Sequence, residues 1–384
     1  MNLYFKITPL DTLFFRDAKP FSMGSESWAD GIFPPFPSTI LGAIRTWYIT
    51  HHPDGPTEQV IQSAKDEVRL LNLAYSVNDE IYFPMPLDFA FRKEEKVAGL
   101  EEEKTATKLA LKELDVVEAA NYPCPMLLLA GEDDRLETKG DGLIDHSQFS
   151  NYLQDNINSC VKMLRIEDFF NKEPKTGIGR KNETLTAEDS KLYRVGMVRP
   201  KNFSFVVEVT LPDEFGKGVS EESYLIKLGG EGKVARLERI TGELIINRVK
   251  VMSGTSFTDD EKPPTCNFKL YLATPAAFQN GWHPDLSLYG IEAQLMGAAV
   301  GKPLYVGGYD MKAGGPKPMV RAVPAGSVYF YKSETTSYEE AVQRLSKKPL
   351  SEPLSFKESN GKTTEVNLAD DGFGIAYVGK WKNI

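Results

Sequence analysis

Six short apolar runs constrain the fold of this chain more than any other feature. They lie at 203–210 (FSFVVEVT), 223–228 (SYLIKL), 267–273 (NFKLYLA), 295–306 (LMGAAVGKPLYV), 326–332 (GSVYFYK) and 374–379 (GIAYVG). Each is rich in β-branched and aromatic residues and bounded by turn-forming ones, the pattern of a strand. A seventh strand is predicted at the start, where Leu3, Phe5 and Ile7 alternate with polar neighbours. Helical patterns are few. Ser38 or Thr39 reads as the N-cap of a helix to about Ile49, behind the proline-rich GIFPPFP; further helices are predicted at 57–73 and 337–346. Strands with few helices and no strict alternation predict an α+β protein rather than a doubly wound one.

At 384 residues the chain is long for one core. Two domains are expected, with a boundary near 200. The three cysteines, Cys124, Cys160 and Cys266, are widely separated and odd in number, which argues against a disulfide framework or a paired-ligand zinc site. They read as small core residues. No apolar run is long enough to span a bilayer and MNLYFKITPL lacks the signature of a signal peptide, so no membrane role and a cytoplasmic location are expected.

Charge is unevenly spread. The net charge is -9, yet 94–145 holds 14 acidic against 6 basic side chains, whereas 165–201 holds 9 basic against 6 acidic and 301–332 holds 5 against 1. A phosphate responds to the local sign within a screening length, so the two basic windows keep a nucleic-acid partner open. The acidic stretch from 93 to 120 is predicted to be a solvated helical insertion. Residues 175–200 (KTGIGRKNETLTAEDSKLYRVGMVRP) read as a long loop or projecting hairpin.

Two glycine-rich stretches invite chemical readings. In LGGEGKVA (228–235) the positions that a phosphate-binding P-loop reserves for glycine and a hydroxyl hold Lys227 and Val234, so a turn between strands is the better reading. The stretch LYVGGYDMKAGGPKPMVRAVPAGSVYF (304–330) places Gly307, Gly308, Gly314 and Gly315 beside Lys312, Lys317 and Arg321. Glycine lets a ligand backbone approach closely and bares amide donors, which suits phosphates; a plain connector has the same composition. The four histidines, His51, His52, His146 and His283, form no visible metal or acid/base motif, and no cofactor is expected.

PLDTLFFRDAKPF (9–21), FPPFPSTILGAIR, LGGEGKVA, LATPAAF followed by Gly281-Trp282, VGGYD…PKPMVRAVPAGSVY and GFGIAYVGKW occur in this order from about residue 5 to 382. This ordered set resembles the third subunit of the Cmr complex, the RNA-guided, RNA-targeting effector of type III-B CRISPR systems, a member of the RAMP superfamily. The resemblance implies two ferredoxin-like, RRM-like domains. The first would span 1–200, with an acidic insertion at about 93–145 and a basic loop at about 175–200; the second would span 201–384, with a glycine-rich loop at 307–326. It further implies a non-catalytic chain that caps the 5′ handle of the guide RNA and has as partners the large signalling subunit and the backbone subunits, in antiviral defence.

On that resemblance the RNA-contacting candidates are Arg16 and Lys19 in the opening segment, whose Phe14, Phe15 and Phe21 would pack beneath. Ser38 and Thr39 would offer helix amides to a phosphate, with Arg45 two turns on. Arg180, Lys181, Arg194 and Arg199 lie on the 175–200 loop, and Gly307, Gly308, Lys312, Lys317 and Arg321 on the glycine loop, where Tyr309 would stack on a base. Plainer readings stand beside these: Arg16 paired with Asp11 or Asp17, Arg45 as a structural pair, a solvated charge run at 175–200, and Tyr309 as a core ring. Two other functions stay open, a RAMP-type endoribonuclease processing guide precursors with His51 as base, and a protein–protein scaffold without RNA contact. The acidic 94–145 segment should lie away from RNA or touch a basic subunit.

Overall fold

The structure is a computed structural model. It describes residues 1–16, 28–29, 31–92, 104–113, 123–130, 136–137, 140–157, 160–180, 183–184, 186–220, 223–240, 266–310, 315–357, 361 and 363–382. In chain order its main elements are β1 (Asn2–Pro9), α1 (Pro37–His51), α2 (Glu58–Asp66), β2 (Arg69–Val77), β3 (Glu80–Pro84), β4 (Gly142–Asp145) and α3 (His146–Leu153). There follow β5 (Phe170–Arg180), β6 (Ala187–Pro200), β7 (Phe203–Thr210), α4 (Asp213–Gly218), β8 (Ser223–Lys227) and β9 (Val234–Ile240). The last are β10 (Cys266–Leu272), β11 (Gln294–Ala299), β12 (Val328–Ser333), α5 (Tyr338–Leu345) and β13 (Ala376–Lys380).

The first sheet runs in the order Leu164–Arg165, β4, β3, β2, β7, β1, β9, β8, and neighbouring strands are antiparallel throughout. Alternation in β1 does what its sequence requires: Leu3, Phe5 and Ile7 are buried, and Phe5 meets Trp47 of α1 edge-on at 5.4 Å. The second sheet, β11, β12, β10, β13, is also antiparallel. In each sheet four strands share one arrangement: the third strand in sequence lies between the second and the first, and the fourth flanks the first (β2, β7, β1, β9 and β11, β12, β10, β13). Helices α1 and α2 separate β1 from β2, and α4 separates β7 from β9. Helix α5 separates β12 from β13 and opens with a capping box between Ser337 and Glu340.

Several expectations change here. Strand β7 sits between β1 and β2, so a boundary near 200 would cut the first sheet, which runs on to Ile240. The helix expected over 57–73 ends at Asp66, because from Arg69 the chain pairs with β7 and buries Leu70, Leu73 and Ala74. The helix expected over 93–120 is strand where it is described: Thr105–Lys108 pairs with Cys160–Lys162 and Ala110–Glu113 with Met126–Leu129. The run at 295–306 splits into β11 and Leu304–Val306 around Gly301, where a Cβ would stand 2.8 Å from Pro324. Cys124 is buried, but Cys160 is exposed and no core residue. Residues 175–200 do form a hairpin, β5 with β6.

The halves meet through a buried polar cluster at the C-terminus of α3. Asp88, Tyr152 and Lys269 are fully buried. The Tyr152 hydroxyl donates to the Asp88 carboxylate, 3.0 Å from each oxygen. Lys269 Nζ lies 3.7 Å over the Tyr152 ring and 3.4 Å from Asp155 Oδ1, to which Lys108 Nζ also donates at 2.7 Å. The Lys382 amide donates to Asp155 Oδ2 at 3.0 Å. Burial pushes the Lys269 ammonium down to about 8 against the pull of Asp88 and Asp155, and pushes the Asp88 carboxyl up. Gly379 of β13 makes room for this corner, since a Cβ there would stand 2.9 Å from the Leu153 carbonyl oxygen. A second link is the Tyr271 hydroxyl, which donates to the Pro84 carbonyl at 2.7 Å.

Candidate functional site

The opening segment is built into the first sheet's end. Leu13 exchanges backbone hydrogen bonds with Val198 of β6, and Phe14 and Phe15 are buried. The glycine turn joining β8 and β9 folds over them: Gly230 N–H donates to the Phe14 carbonyl at 2.8 Å. Gly229 sits at φ +77°, and a Cβ there would stand 2.5 Å from that same oxygen. LGGEGKVA is thus a turn whose glycines allow close packing. Arg16 is exposed and bridged to Gly31 through the backbone. Phe21 and Lys19 lie outside the described residues, as do Lys181 and Lys312.

Asp11 gathers the cations at this end. Lys233 Nζ lies 2.9 Å from its Oδ2, and Arg199 lies 3.3 Å from its Oδ1. Lys233 and the Thr12 amide hold the Asp11 carboxyl down at about 2. Arg199 also grips Glu173 across the β5–β6 hairpin with two nitrogens, at 2.5 and 2.9 Å. Arg194 is exposed on the same strand; the side chain of Arg180 lies outside the described residues.

Helix α1 starts one residue before the expected caps. Phe36 is its N-cap residue, with no side-chain cap bond, and Pro37 opens the first turn, so Ser38 and Thr39 are helical positions. Prolines favour this arrangement because the missing N–H has no intrahelical partner to lose. The turn borders a cavity of about 1030 Å³ between the two sheets, walled largely by Phe33–Pro37, Leu73, Tyr75, Ala273–Pro275 and Ala298–Gly301, with Asp141 and Lys302 as its charged lining. Arg45 faces elsewhere. Its terminal nitrogens donate to Asp371 at 3.1 Å, to the Asp370 carbonyl at 2.7 Å, and to the Lys65 and Val68 carbonyls at 3.3 Å. Burial draws its guanidinium below the ordinary value in spite of Asp371.

The glycine loop is a hairpin. Leu304–Val306 pairs with Val320–Ala322, Gly308 accepts from the Lys317 amide at 2.9 Å, and Tyr309–Asp310 pairs with Gly315–Pro316. Alternation gives it two faces. Val306, Val320 and Ala322 are buried in a small cluster with Ala277, Leu368 and Phe373, while Tyr305, Lys317, Met319 and Arg321 are exposed. Lys317 Nζ lies 3.9 Å from Asp371 Oδ2, on the carboxylate that also binds Arg45. The Tyr309 side chain lies outside the described residues.

The structure therefore brings together Arg45 and Lys317 at Asp371, and Arg199 with Lys233 at Asp11. Sequence reasoning offered Asp11 only as a partner for Arg16 and did not reach Asp371. Asp371 is 326 residues from Arg45, and no local pattern couples them. His51, the base in the endoribonuclease reading, ends α1 with Nδ1 2.9 Å from the Trp47 carbonyl and its ring edge-on to Tyr224 at 5.3 Å, an aromatic corner.

The fold defines an α+β protein built around two large antiparallel sheets that share one strand order, with two hairpins beside them. A family model described as CRISPR-associated protein (Cas_Cmr3) matches residues 5–381, and the chain belongs to that family. The resemblance to the third Cmr subunit is thereby shown over almost the span from which it was read. Among solved structures the chain is similar to one of type III-B Cmr-beta bound to cognate target RNA and AMPPnP (16% identity, 85% of this chain and 86% of that one, TM-score 0.45). It is also similar to Cmr-beta bound to cognate target RNA (17%, 85% and 86%, 0.44) and to a Csm3–Csm4 subcomplex of the type III-A interference complex (14%, 88% and 97%, 0.37). No curated protein matches the chain. No helix among the described residues is long and apolar enough to cross a membrane.

Proposed function

We propose that this chain is a non-catalytic RNA-binding subunit of a type III-B CRISPR effector, which caps the 5′ handle of the guide RNA and docks the large signalling subunit. The observation that carries the reading is membership of the Cas_Cmr3 family over residues 5–381. The common strand order of the two sheets supports two ferredoxin-like units, 1–240 and 266–382, each a split β-α-β unit with a fourth strand beside the first. The two hairpins are the RNA-facing parts: β5–β6, with exposed Lys172, Lys175 and Arg194, and the glycine hairpin, with Gly307, Gly308, Tyr309, Lys312 and exposed Lys317. Arg16, Lys19, Arg180, Lys181 and the first turn of α1 at Ser38 and Thr39 complete the proposed RNA surface. Arg45 and Arg199 support it from behind, through Asp371 and Asp11. A cytoplasmic location accords with this role.

The handle is gripped by cations and amides, so its affinity falls with salt. The test is binding of a handle oligonucleotide by the assembled complex at about 50 and 200 mM salt. Lys317→Ala is expected to weaken binding and to lower the salt slope by about 1. The neutralised Arg45 and Arg199 favour a second reading, a scaffold without RNA contact, under which Lys317→Ala leaves both quantities unchanged. Cleavage of precursor RNA that is lost on His51→Ala would replace both with the endoribonuclease.

A further inference from the structure

The outer face of the glycine hairpin forms one wall of a groove of about 690 Å³, whose other parts are Phe278, Gln279, Gly281 and Pro353–Phe356. Two large apolar side chains stand open on this face, Tyr305 at 51% and Met319 at 46% exposure. Arg321, opposite Tyr305 in the strand register, lies with its guanidinium 5.9 Å from the Tyr305 ring centroid. Lys317, Arg45, Arg69 and Lys233 all have carboxylate partners. Arg321 has none among the described residues.

The groove is rigid. Gln279 N–H donates to the buried Glu352 carboxylate at 2.8 Å, Gln279 Nε2 to the Pro353 carbonyl at 3.1 Å, and Ala277 N–H to Ser351 Oγ at 3.1 Å. These bonds tie the Phe278 wall to the 351–356 wall. The hairpin is held from below by Val306, Val320 and Ala322. A partner entering the groove meets walls that are already ordered, which removes much of the entropic cost of association.

We infer that this groove is the docking site for a segment of another protein subunit, one that offers an apolar side chain to Tyr305, Met319 and Phe356 and a carboxylate to Arg321. The inference rests on the effector-subunit reading and deepens it, since it gives the hairpin base to protein and leaves the glycine end to RNA. Charge selects the carboxylate: a guanidinium beside an aromatic face, with no ion-pair partner among the described residues, forms a strong charge-assisted pair with an acid delivered by a partner. Composition favours protein over RNA. Among the described residues Arg321 is the one cation of the lining, whereas a nucleic-acid strand is gripped by several cations following its phosphates. Exposed Met, Tyr and Arg gathered on an apolar floor are instead the mark of a protein interface core.

The experiment is photo-crosslinking of the effector complex assembled on guide RNA, with p-benzoylphenylalanine in place of Met319. A crosslink to another protein subunit, in a peptide containing Asp or Glu, is the expected result. Adding Arg321→Glu should cut its yield severalfold, and Arg321→Lys should retain most of it. A crosslink to the guide RNA, or none in a complex that has assembled, overturns the inference. Handle binding measured on the same sample then still reports on the RNA role, and that role survives either outcome. A chain that fails to enter the complex even with Met319 intact ends both readings.

Discussion

Gly229 carries more of the structure than its size suggests. Its φ of +77° and the 2.5 Å that a Cβ would leave to the Phe14 carbonyl make it the one residue type that lets the β8–β9 turn close over Phe14 and Phe15. Gly229→Ala is expected to lower the unfolding free energy by about 2 kcal/mol, read from urea denaturation. The packing of Phe14 and Phe15 was implied by the family resemblance, but the glycine turn that covers them was not, because it lies far along the chain. Nor were the partners of the charged residues. Asp11 binds Lys233, 222 residues away, and Arg45 reaches Asp371 across the whole fold. A local pattern carries no information about pairs made by tertiary packing.

Strands were more legible than helix ends. β7 falls where its sequence placed it and α5 within a residue of its prediction, because a β-branched and aromatic run in one and a capping box in the other are local signals. The start of α1 was misread since Ser38 and Thr39 are good caps in isolation, whereas Pro37 is better as a first helical residue. The stretch after Asp66 has helical spacing, yet sheet pairing overrides that weak preference. The β5–β6 hairpin is the element whose role is easiest to isolate, since Gly177 and Tyr193 pair across it below its outer part. Replacing 178–192 by Asn-Gly should leave the melting temperature within about 2 °C, because the described side chains of this stretch, Ile178, Glu183, Thr184 and Thr186, are exposed and such residues contribute little to stability. The same change should weaken binding of the handle RNA by the complex, as read by fluorescence anisotropy.

At the scale of the molecule, the two sheets are joined by buried charge as well as by apolar contact. The Lys269 ammonium is held down at about 8, below its ordinary 10.5, mainly by burial. Between these values the unfolded chain binds the proton that the native protein has released. Stability from this group is therefore full above about 10.5 and is lost as pH falls through about 8. Lys269→Met removes the dependence, and the difference in unfolding free energy between wild type and variant should change by about 2 kcal/mol from pH 8 to 10. A flat difference would show that Lys269 is solvated in the native state. The domain division itself was only half legible: the sequence shows strands on both sides of 200 but not that β7 completes a sheet begun at Asn2.

That pairing sets a timetable for synthesis. Leu3, Phe5 and Ile7 leave the ribosome well before the strands that cover them, at Phe203–Thr210 and Val234–Ile240, which are translated some 200 residues later. At ribosomal speeds of roughly 5 to 20 residues per second this is a wait of about 10 to 40 s. For that interval the nascent chain bears an uncovered sticky edge, which makes it a natural client of ribosome-associated chaperones.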